Sequence, residues 1–293
     1  MSVNLQPKTI LVTGATNGIG KVTARELARM GATVVIVGRN PAKTQETVRE
    51  IKTAAGHDRV DYLLGDLSVM AEVARVADEY RAKYNRLDVL VNNAGAYYQQ
   101  RQMSKDGLEM TFALNHMSYF ILTLRLLDML KASAPARIVN VSSEAHRQPS
   151  YDFNDMQSSN YSAAGFKAYG QSKLANVLFT NELARRLSGT GVTANSLHPG
   201  FVSTGFGKNN GGLAKLVMLG ITLFAINEEK GAQTSIYLAS SPEVEGVTGK
   251  YFDKSKVANP APSSKDEAAW KRLWTISEEL AKDYIPAAQA TSA

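Results

Sequence analysis

The chain has 293 residues, 44% of them apolar, which is enough for a substantial core and for one large α/β domain or two smaller ones. Its formal charge of +6 suits an anionic cofactor better than nucleic acid or a membrane surface, because the lysines and arginines are scattered and form no dense block. Cysteine is absent, so disulfides, thiolate chemistry and cysteine-based metal sites are excluded.

Residues 1–8 are short and polar, with no signal-peptide apolar core. Residues 10–13 are a β-type run leading into a glycine-rich turn, and 18–30 read as a helix. Residues 33–37 are a second, β-branched strand, and Pro41 opens a second helix. A strand at 60–64, a helix at 71–84 and a short strand at 89–91 follow. Beyond them come a long helix at 108–130, a strand at 138–141, a long helix at 166–187 and a strand at 192–197. A helix at 230–239 and a last strand at 250–252 complete the pattern.

This alternation predicts an α/β fold of the Rossmann type, a doubly wound parallel sheet with helices on both faces. No composition break or internal repeat divides the chain. One domain over 1–284 is expected, with a lid at about 201–229 and a disordered tail at 285–293. The apolar run 213–226 contains Lys215 and is shorter than the roughly 18 residues a membrane span needs, so no transmembrane segment is expected. A soluble, cytoplasmic protein without a nucleic-acid partner is the resulting expectation.

The turn after the first strand reads Thr13-Gly14-Ala15-Thr16-Asn17-Gly18-Ile19-Gly20. Glycines there let the backbone turn sharply and approach a dinucleotide pyrophosphate, which rests on the open N–H groups and positive end of the helix. The second strand ends Val37-Gly38-Arg39-Asn40. Where an NAD site carries an acid for the ribose 2′-hydroxyl, this chain has Gly38. Arg39 follows, and a guanidinium can grip the 2′-phosphate of NADP through two hydrogen bonds. A merely solvated loop arginine is the bland alternative.

Tyr169-Gly170-Gln171-Ser172-Lys173 places a phenol and an ammonium on one helix face. A nearby ammonium favours the phenolate, so Tyr169 is expected to act as acid or base near neutral pH. Alone, such a pair is often a surface pair. Here it follows Asn92-Asn93-Ala94-Gly95 at the fourth strand end, Asn115-His116 on the next helix, and Ile138-Val139-Asn140-Val141-Ser142-Ser143 at the fifth strand end. All of these motifs meet at the carboxyl edge of the predicted sheet, where open α/β folds bind ligands.

From about Thr9 to Phe252 the chain resembles the short-chain dehydrogenase/reductase family, and within it the retinol-dehydrogenase-like branch. The branch resemblance is carried by Gly38-Arg39-Asn40, Asn115-His116, Tyr169 to Asn176 with Leu183-Ala184-Arg185-Arg186-Leu187, and His198-Pro199-Gly200. It implies NADP(H) as cofactor and a carbonyl or alcohol as the small-molecule substrate. Tyr169 would move the proton, and Lys173 would tune it and hold the nicotinamide ribose. Ser143, preferred to Ser142 by family position, would polarise the substrate oxygen. Asn115 would position a proton-relay water.

The same resemblance assigns Gly14, Asn17, Gly18, Ile19, Gly20, Arg39, Asn40, Asp66, Leu67, Asn92 and Ala94 to the cofactor, with Asp66 on the adenine amine. Pro199, Gly200, Val202 and Thr204 would fix the nicotinamide carboxamide. The two long helices would pair subunits into a homodimer or homotetramer.

His146 and His198 share no ligand spacing, and no metal site is expected. His116, Tyr97 and Tyr98 are left between pocket and packing roles. The apolar lid, with Gly205, Gly207, Gly211 and Gly212 as hinges, suggests a bulky apolar aldehyde, ketone or alcohol. The competing readings are a catalytically idle NADP(H)-binding module, whose signature would be loss of Tyr or Lys, and an epimerase or dehydratase of a longer related type.

Overall fold

The computed structural model describes residues 3–148, 150–159, 165–200 and 227–286. Strand alternation sets its architecture. In β1 (Thr9–Thr13), β2 (Thr33–Gly38) and β4 (Val89–Asn92), Leu11, Val35 and Leu90 enter one apolar cluster. Ile10, Val12, Val34, Ile36, Val89 and Val91 enter a second. Successive residues face opposite sides of the sheet, so both sides have to be covered. α1 (Gly18–Arg29), α2 (Pro41–Ala55) and α7 (Glu228–Ser240) cover one side. α3 (Met70–Lys83), α4 (Met110–Phe112), α5 (Ser118–Ala132) and α6 (Phe166–Arg186) cover the other.

The remaining strands are β3 (Val60–Leu64), β5 (Ala136–Val141), β6 (Val192–His198), β7 (Tyr251–Asp253) and β8 (Lys256–Ala258). The eight-stranded order is β3-β2-β1-β4-β5-β6-β7-β8. β1 to β7 pair in parallel and β8 pairs antiparallel with β7. The order reverses between β1 and β4, which opens a crevice beyond their carboxyl ends. This is the single-domain, doubly wound sheet expected from the alternation. The antiparallel β8 was not expected.

Three local features differ from the sequence reading. The helix expected over 108–130 starts later, at Met110, and Glu109 caps it by accepting hydrogen bonds from Thr111 N (2.9 Å) and Phe112 N (2.8 Å). It then widens into a π-helical turn, Ala113–Met117, before α5. Single π turns commonly mark functional positions, and this one carries Asn115.

The second difference is a further helix, α8 (Glu267–Ala281), capped by Asp266. Its Trp274 is buried against Phe120 of α5 (5.1 Å) and Phe179 of α6 (5.8 Å), under the Arg186 guanidinium. Part of the α5/α6 face expected to pair subunits is therefore covered by the chain itself. Thirdly, Ile285, expected in a frayed tail, is buried in the larger core cluster. An apolar residue one turn beyond α8 has core surface within reach, and its N–H still bonds Ala281 O. The rest of the expected tail, 287–293, lies outside the described residues, as does most of the expected lid.

Candidate active site

The glycine turn is shaped by close backbone approach. Gly14 has φ +64°, and a Cβ there would lie 2.7 Å from Ala94 Cα. A Cβ on Gly20 would strike the Asn93 amide and sit 2.5 Å from Gly14 O. Thr13 and Asn93 hold the two strand ends together. Thr13 Oγ1 accepts from Asn93 N (2.9 Å) and Ala94 N (3.0 Å), while Asn93 Nδ2 donates to Thr13 O (2.9 Å) and Gly14 O (3.2 Å). Asn17 is the extended N-cap of α1 and makes no side-chain cap bond, and no acid occupies the first turn of Gly18, Ile19 and Gly20. The positive end of α1 thus carries no side-chain cap and no acid in its first turn, which fits a pyrophosphate.

Gly38 ends β2 with no room for a side chain. A Cβ would collide with Thr44 Oγ1 and come within 2.7 Å of Thr16 Cγ2. Arg39 is exposed, with Nη1 3.6 Å from Asp66 Oδ2. The other Asp66 oxygen accepts from Ser68 N (3.1 Å) and Ser68 Oγ (2.7 Å). Burial would raise the Asp66 carboxyl, but the Ser68 bonds and the Arg39 guanidinium outweigh it and hold it below the usual carboxylate range. Leu67 is buried core. Asn40 serves as the N-cap of α2, its Oδ1 accepting from Lys43 N (3.0 Å), so its carboxamide oxygen is committed to the helix. Tyr98 is buried within the fields of Arg39 and Asp66, and Tyr97 lies on the catalytic side. The sequence could not separate the roles of these adjacent tyrosines.

At the other end of the crevice α6 aligns Tyr169 and Lys173. Lys173 is buried, and its Nζ donates to Val141 O (3.1 Å) at the end of β5. Nζ lies 5.7 Å from the Tyr169 ring centroid and 5.9 Å from that of Tyr119. The two serines after β5 point apart, as strand alternation requires. Ser142 Oγ donates to Lys173 O (2.7 Å), whereas Ser143 hydrogen-bonds the Tyr169 phenol and accepts from Ala145 N. Asn115 is fully buried. Its Nδ2 donates to Ala96 O and Ser172 Oγ (both 3.0 Å), and its Oδ1 accepts from Ala96 N (2.9 Å). Asn115 Oδ1 and Lys173 Nζ stand 3.1 and 3.3 Å from where a Cβ on Gly95 would lie, so a side chain there would press on both groups.

Asn92 is buried, and its amide bonds Thr123 and Asn140 inside the fold. Pro199 and Gly200 (φ +85°) leave the end of β6 beside these groups, while Val202 and Thr204 lie outside the described residues. His146 and His198 prop the Ser143 turn. His146 Nδ1 bonds Ser143 O (2.7 Å), its Nε2 accepts from Ala261 N (2.9 Å), and His198 Nδ1 accepts from Glu144 N (3.2 Å). Asn93, Thr13 and Val141 were not singled out from the sequence, although all three lie inside motifs that were.

Residues 8–212 match the family model described as short chain dehydrogenase. The chain belongs to the short-chain dehydrogenase family. Among curated proteins it is 43% identical over 293 residues to human retinol dehydrogenase 14, covering 93% of this chain and 86% of that one. Human retinol dehydrogenase 12 is 41% identical over 279 residues, covering 95% and 88%. A crystal structure of a Mycobacterium paratuberculosis protein superposes with TM-score 0.76 at 31% identity, covering 97% of each chain. The Pseudomonas aeruginosa RhlG/NADP active-site complex gives 0.69 at 28%, covering 85% of this chain and 95% of that one.

This short-chain dehydrogenase, retinol-dehydrogenase-like in sequence, is a hydride-transferring oxidoreductase that uses a nicotinamide cofactor on CH–OH or C=O groups. No described helix is long and apolar enough to cross a membrane. The dehydrogenase's site is dominated by burial. Desolvation pushes the Tyr169 phenol up to about 12, with the Ser143 hydrogen bond opposing, and pushes Lys173 down to about 7. The expected lowering of Tyr169 by Lys173 does not overcome burial: Nζ lies 5.7 Å from the ring centroid, hydrogen-bonded to Val141 O, and Lys173, itself pushed down to about 7, has lost its charge before a phenol near 12 ionises.

Proposed function

We propose that the protein is an NADP(H)-dependent reductase or dehydrogenase for bulky apolar aldehydes, ketones or alcohols, with Tyr169 as the proton-transfer group. The observation that carries this reading is the convergence of Ser143, Tyr169 and Lys173 at the carboxyl edge of β5, beside the glycine turn. Gly14, Gly18, Ile19 and Gly20 would cradle the pyrophosphate. Arg39 would hold the 2′-phosphate, Asp66 the adenine amine, and Lys173 the nicotinamide ribose. Ala94 and the Pro199–Gly200 backbone would line the nicotinamide half. The cofactor, when bound, supplies or accepts the hydride.

Tyr169 then gives a proton to the substrate oxygen in reduction, or takes it in oxidation, and Ser143 polarises that oxygen. A phenol held high by burial is a reluctant base, so the ammonium of Lys173 has to act on it once reactants exclude water from the crevice.

For NADP(H) over NAD(H), the support is steric as well as electrostatic: Gly38 has no space for the acid an NAD site would carry, and Arg39 is exposed beside it. For an apolar substrate, the support is an aromatic wall. Tyr97 stands edge-on to Tyr169 (6.0 Å, 83°) and stacks obliquely on the exposed ring of Phe166 (5.0 Å). A homodimer or homotetramer would use surfaces that α8 leaves open, and light scattering distinguishes these from a monomer.

The test of the reading is loss of NADPH absorbance with a panel of aldehydes and ketones, on wild type and Tyr169→Phe. Turnover of at least one apolar carbonyl by wild type only supports it. Equal turnover by both, with intact NADPH binding, rejects Tyr169 as the proton donor.

A further inference from the structure

The cofactor crevice and α8 lie on different parts of the molecule, yet a succession of neighbouring buried polar groups runs between them. Ser277 of α8 is fully buried, and its Oγ lies 2.9 Å from His116 Nε2. His116 is also fully buried, seated against Phe112 (5.2 Å) and edge-on to Phe179 (6.0 Å). It belongs to the π-helical turn Ala113–Met117 and directly follows Asn115.

The far side of the imidazole meets α6. His116 Nδ1 and Asn176 Oδ1 are buried atoms without a hydrogen-bond partner among the described residues, and the Asn176 side chain acts on the ring against the burial that pushes His116 down to about 4. In the neutral tautomer that carries its proton on Nδ1, Nε2 would accept from Ser277 and the Nδ1–H would have Asn176 of α6 as its neighbour. Asn176 Nδ2 in turn donates to Val141 O (3.3 Å), the carbonyl that accepts from Lys173 Nζ.

We propose that Ser277 and His116 are positioning residues through which α8 sets Asn115 and Lys173. The argument is one of cost and connectivity. Buried polar groups are expensive unless they are partnered, and an apolar pair would serve α8 packing as well, since Trp274, Phe120 and Phe179 already provide it. Keeping a histidine and a serine in that cluster makes the orientation of the π turn depend on α8. Asn115 on that turn holds Ala96 and Ser172, and the Val141 carbonyl fixes where the Lys173 ammonium sits. The inference rests on the reading of Tyr169 and Lys173 as the proton-transfer centre.

Ser277→Ala, Ser277→Thr and His116→Phe test it. Phe keeps the aromatic packing and removes both imidazole contacts. Among the described residues, the ionisable groups facing Lys173 are Tyr169 on its own helix and Tyr119 on α5. Weakening the Val141 contact should therefore make the ammonium lose its proton at lower pH, because that hydrogen bond favours the charged form. With decanal and NADPH, kcat should fall about tenfold in Ser277→Ala and His116→Phe while KM for decanal moves less than about twofold, and Thr should restore it.

Independently of turnover, the pH at which NADPH binding weakens, read by fluorescence titration, should move downward in the same two variants. Unchanged kcat and an unchanged binding midpoint, even with a lowered Tm, would leave only a packing role and overturn the proposal. Failure of wild type to reduce decanal or any other carbonyl while NADPH still binds would instead reject the underlying reaction, and the binding midpoints would still decide the coupling.

Discussion

Arg39 Nη1 lies 3.6 Å from Asp66 Oδ2, so the guanidinium at the end of β2 and the carboxylate after β3 form one charged rim at the open end of the glycine turn. Exposed pairs of this kind contribute about 0–1 kcal/mol to stability. Arg39→Ala should therefore leave the unfolding midpoint nearly unchanged. It should weaken NADPH by about 1.5–3 kcal/mol, the range for hydrogen bonds to charged groups, and barely alter NADH. Fluorescence titrations at low and high salt check this. Wild type binding NADH as tightly as NADPH would contradict the assignment.

Gly38 gives a second, steric prediction. Converting the site to NAD by Gly38→Asp alone should lower stability by about 1–3 kcal/mol, because the new Cβ overpacks against Thr44 and Thr16. Thr44 Oγ1 bonds Asn40 O (2.6 Å), so it cannot swing away without loosening the start of α2. Gly38→Asp combined with Thr44→Ala should recover part of the loss. Urea midpoints of the three proteins measure it, and an undisturbed Gly38→Asp midpoint would show that the neighbours yield freely.

In the catalytic centre the variants should separate by kinetic parameter. Tyr169→Phe removes the proton carrier and should cost turnover about 10²–10⁴-fold with NADPH binding intact. Ser143→Ala should lower kcat without weakening NADPH. Lys173→Ala should reduce both. Stopped-flow NADPH oxidation with a responsive aldehyde, paired with binding titrations, distinguishes these patterns from three equally silent changes.

Burial of Lys173 carries a stability cost that depends on pH. Its folded value is about 7 against an ordinary 10.5, so between those values the unfolded chain binds more protons and stability rises with pH. Below pH 7 the full cost is present. Lys173→Met, which keeps the stem and deletes the charge, should be more stable than wild type at pH 6, and the difference should shrink as pH rises towards 10. Denaturation midpoints across that range test the sign. An advantage that grows with pH would mean the ammonium is stabilised rather than penalised by its site.

Much of the site could be read from one dimension, for a physical reason. Glycine turns, Tyr-x-x-x-Lys spacing and strand ends are local patterns whose geometry follows from backbone sterics and helix periodicity. Gly14, Gly20, Arg39, Ser143, Tyr169 and Lys173 are such residues, and the alternation of strands with helices determined the sheet that gathers them.

The tertiary structure decided whatever depends on partners far away in the chain. Whether Tyr97 or Tyr98 faces the phenol is set by how the segment after β4 lies against α6. Burial, which no spacing reveals, holds Tyr169 up and Lys173 down and outweighs their proximity. The helix α8 covers the α5/α6 face, and the π turn opens where Asn115 is drawn to Ala96. The sequence by itself determined which groups meet at the crevice. Desolvation and long-range packing, which exist only once the chain has closed around them, decided how those groups are charged and what holds them in place.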